Sequence, residues 1–469
     1  MSITIEQIDL WRATLREHQN LEFKEAKNQF DTRRLCQYCV ALANEGGGQM
    51  LLGIADQPPH AVVGSNAFLV VNDIAEKLFE WLRFRVDVDA VDHPDGRVVV
   101  FTIPSRPRGT AYHHDGRYLM RSGEELVSMS EDRLRHIFDE GKPDWLEEPS
   151  LSDLSAEQVV ELLDVQTFFE LKKIPYPTDQ VGVIERLRSE GLIQKEAAGF
   201  SIKRLGAVLM ARRLSDFPDV KRKAARVVVY SGLSKANTRL DQDGGRGYLV
   251  GFQGLVQFVM AQLPQNEVVE KAFRREEKLV PEIVVRELIA NALIHQDFSV
   301  TGASVMIEIY NDRLEISNPG EPIIPIEKFI DGYRSRNERL ADFARRLGIC
   351  EEKGSGIDKV VSQVEFSQLP APEFTATHGR TVVIVHGHQP FESMNRSDRL
   401  RACYQHACLR YVTRQYMTNR SLRERFGLGE DKVAVASQLI SSALQEKLIK
   451  PDAGMGESRR HARYLPFWA

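Results

Sequence analysis

Arg286-Glu-Leu-Ile-Ala-Asn-Ala-Leu-Ile-His-Gln-Asp297 is the stretch on which the reading of this chain turns. On a helix Glu287, Asn291 and His295 fall at i, i+4 and i+8, so three polar groups share one face while Leu288, Ala292 and Leu293 can point into a core. An Asn carbonyl can bind a hard cation such as Mg²⁺, which takes its remaining oxygens from water and phosphate. A Glu one turn away can orient or deprotonate a water. This is geometry suited to nucleotide hydrolysis. An amphipathic helix with a solvated polar face would show the same spacing.

The sequel narrows the choice. Ser304–Tyr310 and Arg313–Ser317 read as two strands around the turn Asn311-Asp312, followed at once by Asn318-Pro319-Gly320. Further on, Glu351-Glu-Lys-Gly-Ser-Gly356 opens onto the helix-like Ile357–Val361. Glycines before a helix let backbone N–H groups face an anion. Over roughly residues 265–385 these residues resemble the GHKL ATPase family, in the branch fused to Schlafen-type AlbA domains. Glu287-x-x-x-Asn291 stands as its N box, Asn318-Pro319-Gly320 as its first glycine box, and Gly354-Ser355-Gly356 as its lid glycines. The resemblance implies bound ATP with Mg²⁺ or Mn²⁺, the cation on Asn291, Glu287 as the catalytic carboxylate, and His295, Asn318 and Gly320 around the nucleotide. It departs at Ser317-Asn318-Pro319-Gly320-Glu321, where the family carries Asp-x-Gly-x-Gly and the Asp reads adenine. That departure bears on base selectivity and turnover. Arg334, Arg336 and Asn337 fall where a phosphate-sensing lid would begin, and salt bridges to nearby acids would explain the same arginines.

A chain of 469 residues exceeds one ordinary core and implies several domains. Apolar content of 42% and charged content of 27% argue against wholesale disorder. No apolar run approaches a bilayer span and Met1 is not followed by a leader pattern, so a cytoplasmic protein with no membrane partner is expected. Five cysteines make a poor disulfide framework, and Cys36-x-x-Cys39 lies in a helix-like run that suits burial better than a metal. The net charge of −4 gives no global nucleic-acid signature, but from Arg396 onward 14 Lys/Arg face 7 Asp/Glu.

At the other end, Glu17-His-Gln-Asn-Leu-Glu22-Phe-Lys24-Glu25 precedes a helix over Thr32–Ala43, the turn Asn44-Glu-Gly-Gly-Gly, and a strand over Met50–Ala55 leading to Asp56. With Tyr118-Leu-Met-Arg121-Ser-Gly123, this order resembles the Schlafen AlbA-type domain over roughly 10–140. In nuclease members of that family two glutamates and a downstream aspartate hold a divalent metal against the scissile phosphate. The resemblance places Glu17, Glu22 and Asp56 in that metal role, with Lys24 beside them as a phosphate partner. Many relatives use the domain only to bind, and Glu22 could simply pair with Lys24 or an arginine. His113 and His114 read as part of a turn between strands.

Residues 143–155 read as a linker. Ser155 caps a helix, and Gln180–Glu190 followed by two short strands outlines a winged helix. Lys221-Arg222-Lys223 reads as a solvated basic run or a phosphate contact. The tail gives a second winged-helix candidate, with helices over Ser397–Tyr411, Ser421–Phe426 and Lys432–Lys447 and a wing around Gly454-Met-Gly456.

The expectation is thus an α+β multidomain protein: a Schlafen AlbA-type domain over 1–142, a helical winged-helix-like connector over 143–215, a GHKL-like ATP-binding domain over 216–392 and a basic winged helix over 393–469. The expected function is an ATP-gated, homo-oligomeric protein acting on DNA or RNA, with a metal-dependent nuclease at its N-terminus and a role in defence against foreign nucleic acid. The alternatives are a non-enzymatic ATP-responsive transcriptional regulator and a structural oligomer that uses nucleotide as a scaffold ligand.

Overall fold

The computed structural model describes residues 3–12, 20–122, 125–141, 144–270, 273–332, 334–350, 356–452 and 462–469. The chain folds as two compact units, Met1–Pro143 and Asp144–Ala469. The first carries α1 (Ile5–Arg12), β1 (Leu21–Lys24), α2 (Thr32–Asn44), β2 (Gly48–Leu52), α3 (Val71–Leu82), β3 (Asp87–His93) and β4 (Gly96–Ile103). The sheet order is β1-β2-β4-β3, with β1 and β2 parallel and joined through α2. Period-two alternation splits its side chains between two cores. Phe23, Leu51, Val98 and Val100 meet Ile8, whereas Met50, Leu52, Val99 and Phe101 meet the buried faces of α2 and α3. Asp31 starts α2 by accepting from the Arg34 amide at 2.7 Å. The exit from α2 needs glycine: Gly46, Gly47 and Gly48 all have positive φ, and a Cβ on Gly48 would collide with the Asn20 backbone. Three short strands, β5 (His113–His114), β6 (Arg117–Ser122) and β7 (Glu125–Ser128), then form a separate antiparallel sheet before α4 (Glu131–Asp139). His113 and His114 pair with Tyr118 and Arg117 across the Asp115-Gly116 turn, which is the strand-turn reading of that segment.

The second unit opens with β8 (Pro149–Leu154), α5 (Ala156–Leu162), α6 (Val165–Lys172), α7 (Gln180–Ser189), β9 (Ile193–Glu196), β10 (Gly199–Lys203) and α8 (Arg204–Met210). The stretch expected as a linker is instead an edge strand of the sheet β8-β10-β9, because Leu151 and Leu154 pack against the core. Next come β11 (Arg226–Tyr230), β12 (Thr238–Asp243), α9 (Tyr248–Gln262), the hairpin β13 (Gln265–Glu270) and β14 (Phe273–Lys278), α10 (Glu282–His295), β15 (Met306–Ile309), β16 (Arg313–Pro319), α11 (Glu338–Arg346), α12 (Gly356–Phe366), β17 (Glu373–Thr377) and β18 (Arg380–His386). Six of the strands form one sheet in the order β12-β11-β15-β16-β18-β17, with only β11 and β15 parallel. The Asn311-Asp312 turn does join an antiparallel hairpin, and β16 runs on through Pro319. One hydrophobic cluster extends from Leu146 to Val385, so the first helices of this unit share a core with the six-stranded sheet.

The tail adds α13 (Arg396–Val412), α14 (Asn419–Arg425), α15 (Val433–Gln445) and the pair β19 (Ile449–Pro451) and β20 (Tyr464–Pro466), around its own core of Met417, Leu422, Leu439, Ile440, Ala443 and Ile449. The expected wing glycines Gly454 and Gly456 lie outside the described residues. Among the described residues no helix is long and apolar enough to cross a membrane.

Candidate functional site

Helix α10 is not a surface helix. Val284, Val285, Leu288, Ile289, Leu293 and Ile294 are buried against α9, α12 and the sheet, and each fully buried side chain of this kind contributes about 1.5–3 kcal/mol. The solvated-face reading therefore fails, because Glu287 on the polar stripe is itself only 5% exposed. What the stripe faces is a cavity of about 160 Å³. Glu287, Asn291 and His295 line one side, Asn318 and Thr381 come from the paired strands β16 and β18, and Arg334, Arg336 and Arg345 bring positive charge. Ile316, Phe329, Phe374 and Val383 give it apolar walls suited to a flat ring.

Helix α12 begins at this cavity. A Cβ on Gly356 would stand 3.1 Å from Glu287 Oε2 and 3.4 Å from Asn291 Nδ2, so a side chain there would press on both groups. Gly354 and Ser355 lie outside the described residues. Asn291 Nδ2 is buried without a hydrogen-bond partner, an unmet polar group on a cavity wall. His295 is held neutral: burial first, and Arg336 second, pull its pKa down to about 4. Arg336 donates to Asp297 Oδ2 at 3.0 Å and to the Glu321 carbonyl at 2.5 Å, so the arginine expected at the lid is tied to an acid and to the backbone on the cavity wall. Gly320 has a φ of 96° and sits against Asp297, where a Cβ would approach the Asp297 side chain to 2.7 Å. Asn337 turns away from the cavity and donates to the carbonyls of Ile294 and Gln296 at 2.7 and 2.8 Å, satisfying the C-terminal end of α10. Cys350, which the motif reading passed over, also lines the cavity, its thiol pushed up to about 11 by burial and then by the charge of Glu287.

These residues fit a nucleotide with a divalent cation. The side chain of Asn291, whose Nδ2 is an open donor, offers its carboxamide oxygen as a ligand and the buried Glu287 offers a base, the arginines supply countercharge for phosphates, and the start of α12 supplies backbone donors.

In the first unit Glu22 is fully buried and already engaged. Its Oε2 accepts from Arg121 Nη1 at 2.8 Å, while Lys24 Nζ lies 2.8 Å from Oε1 as an ion pair without hydrogen-bond alignment. Lys24 also reaches Asp56 Oδ2 at 3.5 Å, and Asp56 Oδ1 accepts from the Glu25 amide at 3.2 Å. Arg121 in turn donates through Nε to Glu45 Oε2 at 3.0 Å. Burial works to lower the pKa of both Lys24 and Arg121, but the carboxylates paired with them outweigh it and both are raised. The fold thus brings Glu22 and Asp56 together, with an ammonium between them. Among the described residues no group of His, Cys, Asp and Glu is arranged to hold a metal, and Glu17 lies outside them. Glu22 carries two cationic partners, Lys24 and Arg121, which it shares with the half-exposed Asp56 and with Glu45. Arg121 and Glu45 stood inside the sequence motifs without an assigned role, and only the pairing of α2 with β6 reveals it. Lys223, expected on a solvated run, is buried, with Nζ donating to the Val300 carbonyl at 2.6 Å.

Comparison with known proteins adds two family matches to this geometry. Residues 17–130 match the family model "Schlafen, AlbA_2", and residues 302–385 match HATPase_c_4, described as "Putative ATP-dependent DNA helicase recG C-terminal". The second match begins after α10, so Glu287, Asn291 and His295 stand on the geometry alone. Among solved structures, the DIP2311 protein from Corynebacterium diphtheriae is 18% identical, with 98% of this chain and 96% of that chain covered and a TM-score of 0.44. The N-terminal domain of a RecG-related protein from Nitrosomonas europaea is 17% identical over 28% of this chain and 92% of its own, with a TM-score of 0.21. At these scores neither adds to the fold described above. No curated protein matches the chain.

Proposed function

From a chain that joins a Schlafen AlbA_2 segment to a recG C-terminal-type segment, we propose a nucleotide-responsive protein that acts on nucleic acid. The observation that carries the reading is the cavity in which Glu287, Asn291 with its unpartnered Nδ2, and the start of α12 at Gly356 converge beneath arginines. In this reading the second unit holds a GHKL-type site. Asn291 would hold the divalent cation, which would supply charge neutralisation to the phosphates; Glu287 is placed to take the proton of an attacking water, and Arg334 and Arg336 to add countercharge at the phosphates. Asn318 stands at the base end beside Thr381. Its carboxamide offers both a donor and an acceptor where a carboxylate offers only acceptors, so base preference is part of the test.

The first unit and the basic tail, read as a winged helix, are the nucleic-acid contacts in this proposal. The closed ion network around Glu22 favours binding without cleavage, which is the ATP-responsive regulator. A metal-dependent nuclease serving defence is the second reading, resting on the proximity of Glu22 and Asp56 and on Glu17 joining them. Titration of the full chain with Mg·ATP and Mg·GTP, followed by calorimetry, tests the first claim. The wild type binds and Asn291→Ala does not. Equal binding by a folded Asn291→Ala overturns the site. Incubation of labelled RNA and DNA with Mn²⁺ separates the other two: cleavage by the wild type that Asp56→Asn abolishes supports the nuclease, and intact nucleic acid supports the regulator.

A further inference from the structure

The tail module grips the candidate nucleotide cavity from outside at two places. Helix α12 starts at Gly356 against Glu287 and Asn291 and carries Glu365 nine residues later, roughly 14 Å along its axis. The two oxygens of Glu365 lie 3.2 and 3.0 Å from His406 Nδ1 on α13, and the Nε2 of that ring lies 3.0 Å from Ser421 Oγ on α14. Oε1 of the same carboxylate is 3.5 Å from Arg425 Nε, at the far end of α14. His406, Ser421 and Arg425 are all buried. One carboxylate on the helix that begins at the cavity therefore reaches both ends of α14, directly at Arg425 and through His406 at Ser421.

The order Ser421, His406, Glu365 has the connectivity of a hydrolytic triad, but its surroundings exclude that role. Ser421 Oγ donates to the Thr418 carbonyl at 3.1 Å and accepts from the Thr418 amide at 3.0 Å, completing the cap of α14, and the hydroxyl is shielded from any substrate. The chain of contacts is mechanical. A second grip falls on the segment 321–332, which lines the cavity through Pro322, Ile323, Ile324 and Phe329. Tyr404 on α13 donates its hydroxyl to the Glu327 carbonyl at 2.5 Å, and Trp468 Nε1 donates to that hydroxyl at 3.0 Å. Ile330 is buried with Val361 of α12 and Cys408 of α13.

We propose that the tail module reads the occupancy of the cavity, with α12 through Glu365, and the cavity segment 321–332 through Tyr404, carrying a shift at the cavity to α14. This rests on the nucleotide reading above and adds its output. A ligand that draws the start of α12 toward its phosphates favours one placement of α12. Through Glu365 it then favours one placement of α14 and, through packing, of α15.

Hydrogen–deuterium exchange on the full chain, with and without saturating Mg·ATP, tests it. The expected result is slower exchange over 282–296 and 356–366 together with a change of about fivefold or more over 418–426, the size typical of coupled sites. Glu365→Gln should keep the first effect and lose the second. Tyr404→Phe, which keeps the ring and removes only the hydroxyl link to Glu327, should weaken the second and carries the test if Glu365→Gln fails to fold. Protection at the cavity with no response over 418–426 in the wild type overturns the coupling and leaves the nucleotide reading standing. Absence of protection at the cavity overturns both. An undiminished response over 418–426 in the folded variants overturns the route through these side chains.

Discussion

Glu22→Gln removes a fully buried carboxylate charge of the first unit without changing its shape. The side chain is 0% exposed and sits between Arg121 and Lys24, each 2.8 Å away. Removing one partner from a buried ion pair costs about 3–5 kcal/mol, chiefly through the charge left unpaired. Two features reduce that here. Arg121 keeps Glu45 at 3.0 Å and Lys24 keeps Asp56 at 3.5 Å, and the Gln carbonyl can still accept from Arg121. The expected loss is therefore about 2–3 kcal/mol, or roughly 6–9 °C in Tm for a unit of this size. Urea unfolding and calorimetry of the full chain measure it, with the first unit followed by a local probe. The same network sets an alkaline limit. Because the pKa of Lys24 is raised above its ordinary 10.5, the stability it contributes is complete below that value and is lost as pH rises through the higher folded-state pKa. A variant within about 0.5 kcal/mol of wild type would refute the network as a source of stability. If instead Mn²⁺ raises the Tm of the wild type and not of the variant, Glu22 serves a metal and the ion-pair reading is wrong.

Asn291→Ala should abolish the thermal stabilisation conferred by Mg·ATP while leaving the ligand-free stability within about 1 kcal/mol of wild type, since it removes a polar group with an unmet donor; an unchanged ligand-induced shift sinks the assignment. Neutralising the exposed Arg414, Arg420 and Lys432 to Gln should lower the slope of log affinity against log salt by up to about 0.9 for each phosphate no longer neutralised, and an unchanged slope would make the tail an assembly module. The depressed pKa of His295 means that the unfolded chain binds a proton there before the folded one does, so stability is complete above about 6.5 and is lost as pH falls toward about 4; His295→Gln should flatten that acid limb, and an identical pH profile would show that His295 is not buried neutral. Cys36, pushed up to about 11 by burial, should react with a thiol reagent far more slowly than a free thiol, and rapid labelling in the folded protein would contradict its placement in α2.

Local rules in the sequence were enough to place several of the elements. Periodicity and turn chemistry located α2, α10, the hairpin of β15 and β16, and the three tail helices, because each carries its own pattern and punctuation within a short window. The same rules placed Glu287, Asn291 and His295 on one stripe, since helical spacing is fixed by backbone geometry. What that stripe faces was decided elsewhere in the chain. Burial of α10 depends on α9, α12 and β16, which approach from residues far away in sequence, so a polar stripe looks alike whether it meets solvent or a cavity. The strand β8 was hidden for a related reason: a half-exposed edge strand rich in Ser and Asp has the composition of a linker, and only its pairing with β10 gives it structure. Asn337 shows the limit at a single residue, since its position beside the arginines suggested a ligand, whereas the open carbonyls of Ile294 and Gln296 claim its amide. Glu22 shows it most fully. The sequence set a carboxylate two residues before Lys24. The return of Arg121 from a hundred residues away, and the burial of Glu22 and Arg121, determined that this carboxylate meets cationic side chains. Charge in a folded chain is compensated by whatever long-range packing brings within a few ångströms, and that distance is a property of the tertiary fold.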